Sequence, residues 1–309
     1  MKAVRIHEFG GPDVLRLETL PDPEPAAGEV LIAIEAASVN PVDYKIREGK
    51  YPPVGADKLP VTLGRDAAGV VLSCAPDVAA FAPGDKVYAL LPQDRGGYAE
   101  KVATAATAVA RMPTSLDFIQ AASVPLAALT AWQGLFDQGG LKAGQRVLIH
   151  GASGGVGHFA VQFAKVRGAE VFATASADMK SFVQGLGADR VIDYKAERFE
   201  EIVRDADLVY DLIGGETLER SWSVLKPGGT LICTVQEPDQ AKAKSLGVTA
   251  KRYTAQPSGD QLREIALLID KGQVRVTLDQ IFPLEKAADA ERHLQNDHLK
   301  GKVVLKVGA

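Results

Sequence analysis

Cysteine is scarce: only Cys74 and Cys233 occur in 309 residues, far apart in the chain. That excludes a disulfide scaffold, fits a reducing compartment, and leaves both as small buried hydrophobes. No apolar run approaches the roughly 20 residues of a membrane-spanning helix. The opening Met1-Lys2-Ala3-Val4-Arg5-Ile6-His7-Glu8 has no apolar core of a secretory leader. Lys and Arg form no cluster and the net charge is −4. A nucleic-acid surface and an anionic-membrane surface are therefore not expected. The five histidines are scattered without ligand spacing. Together these absences predict a cytoplasmic protein. With 46% hydrophobic and 24% charged residues, the chain has a soluble composition and the length of one large domain or two ordinary ones.

The most informative stretch is Gly151-Ala152-Ser153-Gly154-Gly155-Val156-Gly157. An apolar run at 146–150 precedes it and reads as a buried strand. Val156, Phe159, Ala160 and Phe163 follow at the spacing of one helix face. A second strand candidate at 169–174 lies at βαβ distance. Glycines at 151, 154 and 157 let backbone N–H groups approach a pyrophosphate and let the helix pack tightly on the strand. The helix N-terminus then adds unpaired N–H groups and partial positive charge. The alternative is a tight strand–helix turn that holds no ligand.

Around this motif the chain changes texture. Up to about residue 124, short apolar runs at 3–6, 30–36, 68–74, 86–90 and 100–104 are separated by Gly- and Pro-rich turns. That density predicts a partly closed β-barrel. Beyond it, strand candidates at 146–150, 170–174, 190–193, 208–211, 230–235 and 248–253 alternate with helices. This α/β pattern predicts a doubly wound parallel sheet. A strand near 274–278, a helix near 284–295 and a strand at 302–307 are expected to return to the first domain.

Five segments in order carry a family resemblance: Ser38-Val39-Asn40-Pro41-Val42-Asp43, the stretch Leu63-Gly64-Arg65-Asp66 through Val71, Leu129-Thr130-Ala131-Trp132, the glycine turn, and Leu225-Lys226-Pro227-Gly228-Gly229. The chain resembles the zinc-independent quinone oxidoreductase (zeta-crystallin-like) branch of the medium-chain dehydrogenase/reductase superfamily. The resemblance implies a GroES-like catalytic domain at 1–124 and 273–309 and a Rossmann cofactor domain at 125–272. Zinc-dependent members carry Cys where Asn40 stands and Gly-His-Glu where Gly64-Arg65-Asp66 stands. No metal site is expected, because a catalytic zinc needs three such ligands.

The expected cofactor is NADPH. NAD-binding versions place Asp or Glu at the tip of the second strand. Here that tip reads Thr174-Ala175-Ser176, and the following turn offers Lys180. In the resembled branch a Ser and a Lys bind the 2′-phosphate, with Tyr194 near it. A dianionic phosphate favours a cation and hydroxyl donors and repels carboxylate. Asp178 lies at the usual offset of an NAD-type acid, but the register places it beyond the strand, in the first turn of the next helix. The competing readings are a plain N-cap for Ser176 and a solvated helix face for Lys180.

Without zinc, an alcohol substrate lacks the Lewis acid that stabilises its alkoxide. A quinone or an α,β-unsaturated ketone needs less help: the protein orients it and donates hydrogen bonds as charge develops. By resemblance, Asn40 and Tyr51 line the cleft near the nicotinamide, and Thr130 contacts the nicotinamide end. Ile213 and Gly214 follow the fourth sheet strand and border the cofactor crevice. Lys302 resembles a family basic residue near the cleft. Plainer readings stand beside these. Asn40 bonds its own backbone before Pro41, Tyr51 packs beside Pro52-Pro53, Thr130 bonds the carbonyl one turn back, and Lys302 is a solvated strand-edge residue. Asp43 buttresses the loop or caps its turn. His150 goes either way, and His158 reads as a helix-face residue. Some branch members carry a second Tyr where Lys45 stands, which leaves the acceptor pocket open. The segment 255–259 covers the cofactor or is a surface loop.

The expected activity is zinc-free, NADPH-dependent reduction of quinones or enones by hydride transfer. The alternatives are reduction of another activated alkene, such as an enoyl thioester or haloacrylate, and a non-catalytic NADPH-binding protein. The family's tendency implies a homodimer through the edge strand at 248–253, read as apolar.

Overall fold

The structure, a computed structural model, describes residues 1–296 and 299–308. His298, one of the five histidines counted above, lies outside them with Asp297 and Ala309. The chain folds as two compact units. The first comprises Met1–Leu129, Gln256–Gly272 and the segment from Val276 on; the second comprises Thr130–Ala255 and Gln273–Arg275.

The first unit opens with β1 (Lys2–Ile6), β2 (Arg16–Thr19), β3 (Glu29–Val39), α1 (Pro41–Arg47), β4 (Val61–Thr62), β5 (Asp66–Cys74), β6 (Lys86–Leu90), β7 (Lys101–Ala105), β8 (Val109–Arg111) and α2 (Phe118–Ala122). Helix α3 (Pro125–Trp132) carries the chain into the second unit. There follow β9 (Arg146–His150), α4 (Gly157–Val166), β10 (Glu170–Ala175), α5 (Lys180–Gly185), β11 (Arg190–Asp193), α6 (Phe199–Ile202), β12 (Ala206–Asp211), α7 (Gly215–Ser221), β13 (Leu225–Cys233), α8 (Gln240–Leu246) and β14 (Thr249–Arg252). The chain returns through α9 (Gly259–Asp270), β15 (Leu278–Pro283), α10 (Ala287–Asn296) and β16 (Lys302–Lys306).

In the first unit, a sheet of order β15-β16-β3-β5-β6-β8, with β7 also on β3, adjoins a small sheet β2-β1-β4. Strand β3 alternates buried and half-buried residues until Ala37, and from there Ala37, Ser38 and Val39 are all buried. The switch marks where β3 leaves a one-sided sheet and enters the core. Its end therefore delivers Ser38 and Asn40 to a buried position.

The second unit is a parallel sheet of order β11-β10-β9-β12-β13-β14. The strand order reverses between β9 and β12, so the crevice for a ligand opens at the carboxyl ends of these strands. Val147, Leu148 and Ile149 are fully buried, as expected of a central parallel strand covered on both faces. The predicted strands at 146–150, 170–174, 190–193 and 208–211 match β9–β12 within two residues at either end.

Five expectations change. Helix α9 belongs with the first unit, not with the parallel sheet. Its Leu262 carbonyl accepts from Tyr88 Oη at 2.6 Å, and its Asp270 carboxylate takes both the N–H and the hydroxyl of Ser115. The strand near 274–278 begins instead at Leu278. Residues Gln273–Arg275 stay with the second unit, because the Gln162 side chain brackets Arg275: its Oε1 accepts from Arg275 N at 2.7 Å and its Nε2 donates to Arg275 O at 3.0 Å. The edge strand β14 is not apolar, since Thr249, Lys251 and Arg252 are exposed and only Ala250 is buried. Cys74 is only partly buried, at the end of β5, whereas Cys233 is buried. Among the described residues, no helix is long and apolar enough to cross a membrane.

Candidate active site

In the second unit, the turn between β9 and α4 is built from backbone. Gly151 sits at φ +75°, a left-handed conformation that disfavours a side chain. A Cβ on Gly157 would lie 2.1 Å from the Gly151 carbonyl oxygen and 2.7 Å from Ala152 Cα, so only glycine lets α4 start this close to β9. Ala152 N donates to Thr174 O at 3.1 Å and Gly154 N to Gly151 O at 3.2 Å. Among the described residues, the N–H groups of Ser153, Gly155 and Val156 find no backbone acceptor. These three residues are partly exposed, while Ala152 and Gly157 on either side are buried. Open N–H groups at the positive end of a ten-residue helix suit a pyrophosphate.

Two histidines flank this turn, and both serve the structure. His150 is fully buried, with Nδ1 3.0 Å from Thr174 Oγ1 and Nε2 3.0 Å from Ser221 Oγ. Burial pushes its imidazole down to about 3, so it stays neutral. Thr174 is thus committed to His150 through its hydroxyl and to Ala152 through its carbonyl. It anchors the glycine turn rather than offering its side chain to a cofactor. His158 is buried on α4, with Nδ1 3.1 Å from Gly154 O.

Beyond β10 stands the specificity turn. The strand ends at Ala175, and Ser176 begins a short 3₁₀ turn without making a side-chain cap bond. The plain N-cap reading of Ser176 therefore fails. Lys180 opens α5, its side chain 44% exposed and its Nζ 4.0 Å from Glu197 Oε2. Tyr194 is half exposed, and its N–H donates to Ala175 O at 3.2 Å, which fixes it beside the strand tip. Asp178 lies in the 3₁₀ turn Ala177–Met179, past the strand as expected.

At the other side of the crevice, Asp211 ends β12 and its carboxylate accepts from Ile213 N at 2.8 Å and Gly214 N at 3.1 Å. That holds the loop so that Ile213 stands 56% exposed beside Gly151. Thr130 has a role that sequence did not reveal. Its carbonyl oxygen accepts from Tyr210 Oη at 2.8 Å and from the hydroxyl of Tyr253, and the two hydroxyls lie 2.7 Å apart. The π-helical turn Gln133–Gln138 follows directly, and a Cβ on Gly134 would collide with both tyrosines.

In the first unit, β3 delivers Asn40 to the start of α1. Asn40 is 3% exposed. Its backbone N–H donates to Asp43 Oδ2 at 2.7 Å, so Asp43 caps the turn. The Asn40 side chain also reaches charged partners. Its Nδ2 donates to Asp66 Oδ2 at 2.7 Å and approaches Ser38 O at 3.3 Å and Ser38 Oγ at 3.4 Å. Its Oδ1 accepts from Lys302 Nζ, which also donates to Val39 O at 3.3 Å. Asn40 thus bonds nearby backbone as well as charged side chains, and the reading of Lys302 as a solvated edge residue is set aside, for Lys302 is 3% exposed. Asp66 further accepts from the Ser38 hydroxyl and from Leu126 N at 2.6 Å.

Burial shapes the charges of this cluster. It pushes the Asp43 carboxyl up to about 8, helped by Glu291 and Asp66 and opposed by the Asn40 N–H and Lys302. Tyr98 Oη donates to Asp43 Oδ2 at 3.1 Å, and Oδ1 has no partner among the described residues. Burial pushes the Lys302 ammonium down, while Asp66 and Asp43 draw it back up. Tyr51 stands apart and partly exposed. Its hydroxyl accepts from Gln93 Nε2 at 2.7 Å, which leaves its own hydrogen to donate.

Arg65, the other position where zinc enzymes carry a ligand, is buried and donates from Nε to Leu91 O at 2.9 Å. Among the described residues, no group of three or more His, Cys, Asp and Glu is arranged to hold a metal ion.

Fold and site together define a two-unit dehydrogenase, a GroES-like domain joined to a Rossmann-type parallel sheet. The profile "Alcohol dehydrogenase GroES-like domain" matches residues 26–114, and "Zinc-binding dehydrogenase" matches 186–305. The chain is 36% identical to the mitochondrial NAD(P)H oxidoreductase RTN4IP1 of Homo sapiens, over 90% of this chain and 82% of that protein. It is also 36% identical to the chloroplastic NADPH-dependent alkenal/one oxidoreductase of Arabidopsis thaliana, over 99% of this chain and 79% of that one. The solved quinone oxidoreductase of Coxiella burnetii superposes with a TM-score of 0.91 at 36% identity, covering 99% of both chains. The chain therefore belongs to the medium-chain dehydrogenase/reductase superfamily, in its zinc-independent quinone oxidoreductase branch, and it is an oxidoreductase.

Proposed function

We propose that this oxidoreductase uses NADPH to reduce quinones or α,β-unsaturated ketones by hydride transfer. The observation that supports the cofactor choice is the tip of β10. No acid stands there, the Ser176 hydroxyl caps nothing, and Lys180 and Tyr194 flank the turn. Those groups suit a 2′-phosphate, where a carboxylate would be repelled. The Arabidopsis thaliana relative is named NADPH-dependent, which supports this reading.

The second unit's own groups fit the rest of the dinucleotide. The N–H groups of Ser153, Gly155 and Val156 take the pyrophosphate, with Gly151, Gly154 and Gly157 giving the backbone room. Ile213 and Gly214 border the nicotinamide ribose, and the Thr130 segment serves the nicotinamide end. When bound, NADPH supplies the hydride. The first unit supplies donors for the acceptor: the Asn40 amide and the Tyr51 hydroxyl. Each is a hydrogen-bond donor that stabilises negative charge developing on oxygen. We place the protein in the cytoplasm as a homodimer, although some relatives are mitochondrial.

The test is oxidation of NADPH against NADH with 9,10-phenanthrenequinone, 1,4-benzoquinone and short- and long-chain enones, with and without chelator. Chelator-insensitive turnover that prefers NADPH is expected. NADH preference would overturn the reading of Ser176 and Lys180. Tight NADPH binding with no turnover on any acceptor would overturn the assignment as a reductase of these compounds.

A further inference from the structure

Asn40 is held at both ends of its amide by opposite charges. Lys302 donates to Oδ1, and Asp66 accepts from Nδ2 at 2.7 Å. All three side chains are at least 95% buried. An amide has two N–H groups, and the second is shared by the Ser38 carbonyl and hydroxyl at 3.3 and 3.4 Å, both long for this bond. The amide therefore has a fixed orientation with one strong and one weak donor contact.

We infer that Lys302 and Asp66 are positioning residues that act on the acceptor through Asn40, turning its second N–H into the donor that stabilises negative charge on the acceptor oxygen. This inference rests on the reductase reading above. The physical argument has two steps. Holding both ends of the amide removes the flip that would present Oδ1 to an electron-rich oxygen, where it would repel. A cation on Oδ1 also withdraws electron density through the amide, which strengthens hydrogen bonds given by Nδ2. Such a donor matters most when charge develops, so it acts in the transition state rather than on binding. The groups facing Lys302 are accounted for: Asn40 Oδ1 and Val39 O accept from it, and Asp66 and Asp43 lie near enough to affect its charge.

The prediction is a split by acceptor. Lys302→Met should lower kcat about 10- to 100-fold for an enone, with KM for the enone changed less than about threefold. The loss should be several-fold smaller with 1,4-benzoquinone, which needs less stabilisation of its oxygen. NADPH affinity, read by quenching of protein fluorescence, should stay within about twofold. A second variant, Lys302→Gln, keeps a donor to Asn40 Oδ1 without the charge and should fall between wild type and Lys302→Met. It serves as the test if the methionine variant does not fold. Asn40→Ala should cost at least as much as Lys302→Met, and the double variant should lose little more than Asn40→Ala alone. Equal losses on enone and quinone, or fully additive losses in the double variant, would overturn the inference. A wild-type protein that oxidises NADPH with neither acceptor would overturn the reductase reading instead, and the two failures cannot be confused.

Discussion

The two units build their sites by opposite means. In the second, the groups proposed to hold the cofactor are backbone N–H groups on one continuous turn, shaped by glycines at 151 and 157. In the first, they are side chains from Ser38, Asn40, Asp43, Asp66 and Lys302, spread over more than 260 positions and brought together by β3, β5, α1 and β16. A backbone site is broken by an added atom wherever its chain segments pass closest, and it carries little titratable charge. A side-chain site depends on charge balance in a dry interior. The two should therefore break differently.

The largest effect is expected at Gly157. Alanine there brings a Cβ to 2.1 Å from a backbone oxygen that cannot rotate away, so α4 must shift from β9. Overpacking of this kind costs about 1–3 kcal/mol or more, and the displaced turn loses its aligned N–H groups. Gly157→Val should abolish measurable NADPH binding by calorimetry. Full binding would show that the phosphate sits elsewhere. By contrast, Gly154 has only one neighbour near its missing Cβ, at 3.5 Å. Gly154→Ala should be milder in stability, and any loss of affinity would report crowding of the ligand itself.

A smaller effect is expected at the specificity turn. On the proposed reading, Lys180→Ala removes a charge-assisted bond to the 2′-phosphate, worth about 1.5–3 kcal/mol, or about 10- to 100-fold in the Kd for NADPH. NADH should be affected less than about threefold, because it has no phosphate there. Ser176→Ala should act in the same direction and more weakly. If both cofactors weaken equally, Lys180 serves α5 and its contact with Glu197, not the phosphate.

The same contrast explains what sequence made legible. The glycine turn is local: strand, turn and helix lie within some 20 residues, and spacing alone predicts the strand and helix that the structure has. The strand-tip argument for Ser176 and Lys180 is local as well. The Asn40 cluster is not. Asn40, Asp43 and Lys302 were individually nameable, but the bond from Lys302 to Asn40 depends on β16 pairing antiparallel with β3, which places Val303 opposite Val39. Asp66 carried one signal: a buried-strand acid directly after Gly64-Arg65. Tyr210 and Tyr253, which both reach the Thr130 carbonyl, left no local pattern, since tyrosine at a strand end is ordinary packing. Helix α9 was misassigned for a related reason. Its amphipathic pattern fits either unit, and only its contacts with Tyr88 and Ser115 decide.

The smallest expected effect sharpens the comparison through pH. Burial raises the Asp43 carboxyl from 3.8 to about 8 and Glu291 from 4.5 to about 7. The folded state then holds protons that the unfolded chain has released, so stability from these groups is complete below about pH 4 and is lost as pH rises to about 8. His150 runs the other way. Its imidazole falls from 6.5 to about 3, so the unfolded chain binds the proton first, and stability is present above pH 6.5 and lost as pH falls toward 3. Asp43→Asn keeps an acceptor for the Asn40 N–H but cannot ionise. It should flatten the decline of Tm between pH 6 and 8 by a few degrees while leaving the acid limb unchanged, in line with about 2–4 °C per kcal/mol for a chain of this size class. His150→Gln should flatten the acid limb and leave the alkaline one. Because the two groups belong to different units, each substitution reports on its own unit's interior. A variant that moved both limbs would show that its effect is not confined to the group it replaces.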